Sequence, residues 1–102
     1  MNVVVIGILK KALEPISGQN ENGAWYLQDF VVETYETNKK GQQYPVPIKI
    51  SLDKEEYAQQ LEQMIGQEIT AYCSLRSTES KGRWFTNLKA YSVRSGVHSQ
   101  QA

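Results

Sequence analysis

The stretch KGRWFTNLKAYSVR, residues 81–94, is the strongest indicator of the fold, because residue types alternate along it after a Lys81-Gly82 turn. A period of two with many aromatic and β-branched residues predicts a β-strand. The face that is mostly small or apolar is expected to point inward: Trp84, Thr86, Leu88, Ala90 and Ser92. The opposite face is expected to point outward: Arg83, Phe85, Asn87, Lys89, Tyr91 and Val93.

The outward face of this strand interleaves aromatic rings with cations. Rings stack on nucleobases of any sequence, and cations offset the charge of a phosphate backbone, so the pattern favours a surface for single-stranded nucleic acid. An edge strand with half-buried rings would show the same pattern, and the stretch alone leaves both interpretations open. The role of Trp84 is also left open. Its ring is on the inward face, where it could be a buried structural residue or contact a ligand.

The composition indicates one globular domain. A chain of 102 residues can bury one modest core. A hydrophobic content of 40% and a mean hydropathy of −0.51 fit a soluble domain rather than a disordered segment. The apolar run at residues 3–9 is too short to span a bilayer, and no basic segment precedes it as in a secretory signal. Since the single Cys73 cannot form an intramolecular disulfide, we expect a reducing, cytoplasmic setting.

The net charge is zero, but the charges are unevenly distributed along the chain. Residues 76–94 carry five cations and one carboxylate, a net charge of +4, whereas residues 53–68 carry one cation and five carboxylates, a net charge of −4. A net charge of zero argues against a protein that holds nucleic acid by bulk charge alone. A basic sheet region can still attract phosphates, because the local field acts on a docked DNA strand.

The rest of the chain predicts four more strands, at residues 2–13, 25–35, 44–52 and 67–76. The first is apolar on both faces as far as Leu9, which predicts burial on two sides, and Gly7 permits a bulge or a bend. Pro45 and Pro47 place the start of the third strand at a sheet edge. Polar composition predicts a loop at residues 15–24 and hairpin turns at residues 36–43 and 77–82.

The alternation also assigns faces on the second and fourth strands. The residues expected to point inward are Tyr26, Phe30, Val32, Thr34, Ile69, Ala71, Cys73 and Leu75. The residues expected to point outward on the fourth strand are Thr70, Tyr72, Ser74 and Arg76. Trp25, at the start of the second strand, is expected to be partly exposed.

One helix is predicted at residues 53–65, where the hydrophobic period changes. Its apolar stripe consists of Tyr57, Leu61, Met64 and Ile65, and the first three are expected to plug the barrel. Asp53, with Glu56 three residues later, has the pattern of an N-cap and capping box, and Gly66 is a C-terminal stop.

Three strands, one helix and two strands in this order predict an all-β, five-stranded OB-fold barrel with the helix between strands three and four. Closing the barrel removes the edges that an open sheet would expose. In this fold ligands lie on strands two and three, flanked here by the segments at residues 15–24 and 77–82. The domain is expected to span residues 1–94 and to be followed by a polar tail, residues 95–102.

The run Gly82-Arg83-Trp84-Phe85-Thr86 and the strand at residues 25–34 resemble bacterial-type single-stranded DNA-binding proteins (SSB). The resemblance is to short relatives with one OB domain, including an uncharacterised family with this run in its fifth strand. It implies non-enzymatic binding of single-stranded DNA in replication, recombination or repair, without a cofactor. Housekeeping SSB carries a long linker and an acidic tip that recruits repair proteins. This sequence shows neither, which predicts a phage, plasmid, mobile-element or accessory version.

The resemblance also implies binding residues, which stack on bases or contact phosphates. The aromatic candidates are Trp25, Tyr44, Tyr72, Trp84 and Phe85. The basic candidates are Lys49, Arg76, Lys81, Arg83 and Lys89, with Lys39 as a further point on the phosphate path. An OB module that contacts protein, such as a primosome-type accessory subunit, would use the same aromatic residues, and RNA is a lesser alternative ligand.

Catalytic and metal chemistry are not indicated. The sequence contains none of the common nucleophile, zinc-protease, P-loop or dinucleotide motifs. One cysteine and one histidine, Cys73 and His98, cannot form a standard zinc site. Cys73 is in phase with the inward residues and is interpreted as a small buried hydrophobe. Asp29 and Glu33 are interpreted as solvent-facing carboxylates, so the sequence predicts neither an enzyme nor a cofactor.

The first strand predicts self-association. This strand has more apolar residues than one core face requires, and the surplus ones are Val3, Val5 and Leu9. A chain of this length has little else to cover them. We therefore expect a homodimer or homotetramer that pairs through strand one.

Overall fold

The computed structural model of the chain describes residues 1–96, so His98 and most of the polar tail lie outside the described residues. The elements are β1 (Asn2–Ala12), β2 (Ile16–Asn20), β3 (Gly23–Thr37), β4 (Gln43–Leu52), α1 (Glu55–Glu62), β5 (Glu68–Ser80) and β6 (Arg83–Ser95). No helix in the described part of the chain is long and apolar enough to cross a membrane.

Five of the strands close into a barrel in the order β1-β5-β6-β4-β3, with β3 returning to β1. The helix α1 follows the third barrel strand, β4, and precedes the fourth, β5. This confirms the predicted all-β class and the five-stranded OB barrel. Closure between β4 and β6 is narrow, since the pairing between them consists of one parallel bridge, Ser51 to Lys89, in the described residues. The barrel therefore has a seam there.

The strand β1 pairs with two neighbouring strands. Residues 2–8 pair with β5, and residues 8–12 pair with β3, with a bulge between Leu9 and Lys11. The change of partner occurs beside Gly7, where an added Cβ would lie 2.3 Å from the carbonyl oxygen of Glu33. A side chain at this position would push β1 and β3 apart, so the mid-strand glycine permits the bend that closes the barrel, as predicted.

The core alternates along the strands as expected, with Phe30, Val32, Ile50 and Ile69 fully buried. The prediction that Val3, Val5 and Leu9 are surplus is wrong, because Val5 and Leu9 are buried in the core and Val3 packs against it. The uncovered apolar residues belong to the other face of β1 and are Val4, Ile6 and Ile8. Alternation alone could not say which of two apolar faces meets the helix and the other strands.

The helix α1 packs on one side only. Leu61 and Ala58 are buried and Met64 packs against the core, whereas Tyr57 and Ile65 are exposed, so half of the predicted stripe is not core. The helix is shorter than the predicted residues 53–65 and ends at Glu62, so Met64 and Ile65 lie in the turns that follow it, and the barrel covers only one side of α1.

The N-terminus of α1 differs from the prediction. The N-cap residue is Lys54, which makes no side-chain cap hydrogen bond, so the assignment of Asp53 as N-cap is wrong. The Asp53 carboxylate instead forms an ion pair with Lys89 of β6, with Oδ2 2.5 Å from Nζ. The C-terminus also differs, because α1 ends at Glu62 with Gln63 as its C-cap, so Gly66 is not the stop; its φ of 92° belongs to the turns that follow the helix.

The predicted loop at residues 15–24 is a hairpin instead. The strand β2 pairs with the start of β3 from Ile16–Leu27 to Asn20–Gly23. The Trp25 indole packs across this hairpin onto Gly18, where an added Cβ would lie 2.8 Å from the ring. Both faces of β2 are mostly exposed, so its composition resembles that of a loop.

The hairpin of β5 and β6 is longer than predicted, because its turn shrinks to Lys81 and Gly82, with φ values of 52° and 80°. The outer part of this hairpin, residues 76–87, is called the arm below. It contributes to the elongated shape of the molecule, 51 × 36 × 30 Å. Trp84 pairs with Glu79 on the arm and is 68% exposed, so the buried alternative for this ring is wrong.

The alternation in β6 is interrupted at Tyr91. The register shifts so that Cys73 pairs with Ala90 and Tyr72 with Ser92. Beyond this bulge Val93 packs against the core, which corrects its predicted outward position. Thr70, which was expected to point outward, is instead buried, and its hydroxyl donates to the Gly96 carbonyl.

Candidate nucleic-acid interface

The outer face of β5 and β6, the side away from the barrel interior, gathers four predicted binding residues. The register places Lys89 opposite Ser74, Asn87 opposite Arg76, Phe85 opposite Thr78 and Arg83 opposite Ser80. Arg76, Phe85, Arg83 and Lys89 therefore point to one side, and we call this set the basic ladder. Residues two apart in a strand are about 7 Å apart. Phe85, which is exposed, thus lies between two cationic side chains.

The cations differ in whether a carboxylate neutralises them. Among the described residues Arg76, Lys81 and Arg83 have no ion-pair partner, whereas Lys89 is paired with Asp53. Lys49 of β4 lies 3.7 Å from Asp29 of β3. The arm therefore carries three uncompensated cations, with Lys81 at its tip, and Lys39 and Lys40 in the β3–β4 turn also have no ion-pair partner among the described residues.

Three predicted residues lie apart from the ladder. Trp25 lies near the helix end of the barrel, since Gln28, three residues later, donates a 3.0 Å hydrogen bond to Glu62 of α1. The arm leaves the opposite end, beyond Leu75, whose N–H donates to the Met1 carbonyl. The two segments expected to flank the ligand face, residues 15–24 and 77–82, therefore lie at opposite ends of the barrel. Tyr72 faces outward but lies beside Val4 of β1 and is partly buried. The third residue that lies apart from the ladder, Lys49, is on the outer face of β4.

Two more predicted rings lie beyond the barrel end, on faces that continue its interior. Tyr44 lies on the same face of β4 as the inward residues of that strand, and Trp84 does so on β6. The Tyr44 hydroxyl donates to Glu36 Oε2 at 2.9 Å, and this hydrogen bond raises the pKa of the phenol above its ordinary value. Both rings are exposed, so they are available to a ligand that lies between the hairpins.

A cleft follows the seam between β4 and β6, and we call it the seam cleft. It has a volume of about 500 Å³ and joins a hollow of about 240 Å³ between α1 and β6. Leu52 and Ala90 line both cavities, as do Tyr57 and Tyr91. Arg76 and Lys89 of the basic ladder also line the larger cavity.

Sequence reasoning missed Tyr57 and Tyr91 as site residues. Tyr57 was in phase with the core stripe of the helix, and no local signal distinguishes a ring at the margin of such a stripe. Tyr91 was on the outward face of its strand, so the alternation did contain a signal for it. The two come together because α1 packs against the seam.

Cys73 takes no part in this surface. It is buried, and burial raises the pKa of its thiol to about 11. At neutral pH the protonated thiol dominates, which agrees with its interpretation as a small hydrophobe. In the part of the chain that the structure describes, no cluster of His, Cys, Asp and Glu could hold a metal ion.

Solved structures that resemble this chain include SSB proteins of low sequence identity. The small SSB of Streptomyces coelicolor has a TM-score of 0.52 and 10% identity over 95% of this chain and 93% of its own. The mitochondrial SSB Rim1 of S. cerevisiae has a TM-score of 0.61 and 10% identity over 92% of this chain and 91% of its own. The SSB of Thermus aquaticus has a TM-score of 0.61 and 16% identity over 97% of this chain, which spans 50% of that protein.

These likenesses show that the chain shares its barrel fold with these proteins. No curated protein matches the sequence significantly. A family model described as a domain of unknown function, DUF3127, matches residues 5–94. With nearly the whole described barrel inside this match, the chain belongs to the DUF3127 family.

Proposed function

We propose that this protein binds single-stranded DNA without catalysing a reaction. The observation that carries the proposal is the basic ladder, in which the exposed Phe85 lies between Arg76 and Arg83, neither of which is paired with a described carboxylate. Solved proteins with the same fold are described as single-stranded DNA-binding proteins, which supports this ligand class.

The ladder suits an unpaired DNA strand for a physical reason. A base can stack on Phe85 only when it is free of a complementary strand, and stacking tolerates any sequence. The flanking guanidinium groups attract phosphates and contact them with two parallel hydrogen bonds. Duplex DNA presents phosphates but hides the faces of its bases, so it should bind more weakly than an unpaired strand.

The test is a titration with oligo-dT, oligo-rU and duplex DNA of equal length, followed by tryptophan emission and fluorescence anisotropy. We expect oligo-dT to bind best, as measured by anisotropy. Quenching of tryptophan emission would show that the strand also reaches the opposite face of the arm, where Trp84 is exposed. Equal binding of duplex and oligo-dT would contradict base stacking, and tighter binding of oligo-rU would favour RNA.

A matched pair of variants separates a specific surface from net charge. Arg83→Gln and Lys11→Gln remove the same charge, but Lys11 lies on β1, away from the arm. We expect Arg83→Gln to weaken binding and Lys11→Gln to leave it close to that of the parent protein. Equal losses in both variants would mean that only the overall charge matters.

A second candidate function is a protein-interaction module, such as an accessory subunit of a replication complex. The observation that favours it is the 68% exposure of Trp84 on the face of the arm opposite the basic ladder. Such a module would bind its partner with little dependence on salt and would not be quenched by oligo-dT.

The protein is further proposed to form a homodimer or homotetramer through β1. The outer residues Val4, Ile6 and Ile8 form an apolar strip along this strand, and Ile6 is 39% exposed. Pairing two copies would remove this strip from water. Light scattering should show a dimer or larger species that Ile6→Lys dissociates, and a monomeric parent at tens of micromolar, roughly the range of weak association, would contradict the proposal.

The proposed setting is the cytoplasm, in DNA replication, recombination or repair. The free, buried thiol of Cys73 is compatible with a reducing compartment. Localisation of a tagged protein, with and without DNA damage, would test both parts of this assignment.

A further inference from the structure

We propose that the seam cleft holds one nucleotide of the bound DNA, with its base against Tyr57 and Tyr91 and its phosphate near Arg76. This inference rests on the proposed function and adds a binding site that adjoins the basic ladder and shares Arg76 and Lys89 with it. The two tyrosines come from different elements, α1 and β6, and both line the cleft and the adjoining hollow.

The first argument is the exposure of the two rings. Tyr57 is 48% exposed and Tyr91 is 59% exposed, although each could have been a polar residue at no cost to the core. Leu52 and Ala90 lie beside them as an apolar floor. With a volume of about 500 Å³, the cleft is within the range of sites for small molecules, about 300–1,000 Å³. An apolar floor between exposed rings is suited to a flat nucleobase.

The second argument is charge. Three cations line the cleft, Lys54, Arg76 and Lys89, against one carboxylate, Asp53, which leaves a net charge of +2. Asp53 is already paired with Lys89, so it repels an incoming phosphate less than a free carboxylate would. Arg76 has no carboxylate partner among the described residues and can bind a phosphate directly.

The third argument is a set of available hydrogen-bonding groups. The side chains of Ser74, Thr78 and Asn87 line the cleft, and none makes a side-chain hydrogen bond with the described part of the chain. The Asn87 amide offers both a donor and an acceptor, which is what the edge of a base requires. Lys54 lies 5.7 Å from the centre of the Tyr57 ring and can turn from the ring towards a phosphate.

The seam cleft extends from the arm to the end of the barrel where α1 lies. Arg76 belongs to both the basic ladder and the cleft, so a DNA strand on the arm can enter the cleft without a gap. The other end of the cleft reaches α1, on the side of the barrel where Trp25 lies. A strand that follows this route can contact rings at both ends.

The experiment combines length-dependent binding with cross-linking. Oligo-dT of about 4 to about 16 nucleotides, the usual range for one OB fold, is titrated into the parent protein and into Tyr57→Ala and Tyr91→Ala. Tyr57→Phe and Tyr91→Phe keep the rings, and Tyr35→Ala removes an equally exposed ring from β3, away from the cleft. In parallel, oligo-dT carrying 5-iododeoxyuridine is cross-linked by light, and the modified peptides are identified.

We expect each alanine variant to weaken binding of the longer oligonucleotides by about five- to 150-fold, the range for the loss of one stacked base. Binding of the shortest ones, which the basic ladder alone can hold, should change little. The phenylalanine variants and Tyr35→Ala should bind like the parent, and cross-links should include Tyr57 or Tyr91.

Two failures can be told apart. If the parent binds oligo-dT but both alanine variants match it at every length, or if cross-links lie only on the arm, the seam cleft is not a nucleotide site while the proposed function stands. If the parent binds no oligonucleotide, the proposed function fails and the cleft site fails with it.

Discussion

The paired strands of the β3–β4 hairpin and the arm of the β5–β6 hairpin differ in whether a carboxylate lies beside their outward cations. On the first, Lys49 lies 3.7 Å from Asp29, and Glu33 lies 3.7 Å from Lys10 of β1. On the second, Arg76 and Arg83 have no carboxylate partner within the described residues. A carboxylate beside a cation cancels most of its field at the distance of a phosphate. Counting cations on a face therefore does not measure its attraction for DNA.

The two hairpins also differ in what anchors them. Phe30 and Val32 of β3 are fully buried, whereas Trp84, Phe85 and Thr86 of the arm are exposed. The first hairpin is a wall of the barrel, and the arm projects from it. Surface that does not hold the fold together is free to contact a ligand.

The largest expected effect concerns this anchoring. Phe30→Ala should lower the free energy of unfolding by about 3–5 kcal/mol, because it leaves a cavity in the core. Trp84→Ala should change it by about 0.5 kcal/mol or less, as at other exposed positions. Urea unfolding of both variants measures the contrast. A loss of more than about 2 kcal/mol at Trp84 would show that the ring is covered in solution, for example by a second copy of the chain.

The next effect concerns stacking on the two hairpins. Phe85→Ala should weaken oligo-dT binding by about five- to 150-fold, because one base loses its ring partner. Tyr35→Ala, which removes an exposed ring from β3, should bind within about twofold of the parent. Anisotropy titrations at fixed salt measure both. Equal losses would place the DNA strand on both hairpins and remove the distinction between them.

The salt dependence of binding should separate paired from unpaired cations. Each phosphate contact adds about −0.7 to the slope of log affinity against log salt for single strands. Arg76→Ala and Arg83→Ala should each flatten the slope by about one such contact. Lys49→Ala should flatten it less, since Asp29 already balances that charge. Affinities measured at several salt concentrations give the slopes, and an unchanged slope in all three variants would favour the protein-interaction alternative.

The smallest expected effect comes from releasing a masked cation. Asp29→Asn removes the partner of Lys49 while keeping the size of the side chain, and it leaves an acceptor for the Ser51 hydroxyl, which now donates to Asp29 Oδ1. Because an exposed ion pair is worth less than about 1 kcal/mol, oligo-dT should bind a few-fold more tightly. Glu21→Gln, which removes the same charge from the β2–β3 turn, is the control. If both variants gain equally, the effect is one of net charge and not of Lys49.

Much of the fold follows from local pattern, and part of the site does as well. Alternation predicts the barrel strands and places Phe30, Val32 and Ile69 inside, because a period of two is a property of each strand alone. It also places Arg83 and Phe85 together on an outer face. It fails at Val93, because the bulge at Tyr91 depends on pairing with β5. It fails again at residues 15–24, where polar composition conceals a hairpin.

The sequence by itself determined the order of the five barrel strands and the helix, the inward residues in the middle of β3 and β5, and the concentration of positive charge in residues 76–94. Each of these depends on neighbours a few positions apart along the chain. Only the tertiary structure decided which cations are neutralised, since Lys49 meets Asp29 and Lys89 meets Asp53 across strands and elements. It also decided the exposure of Trp84 and the position of Tyr57 and Tyr91 around one cleft at the seam. These depend on register and closure, which bring distant residues together and leave no local trace.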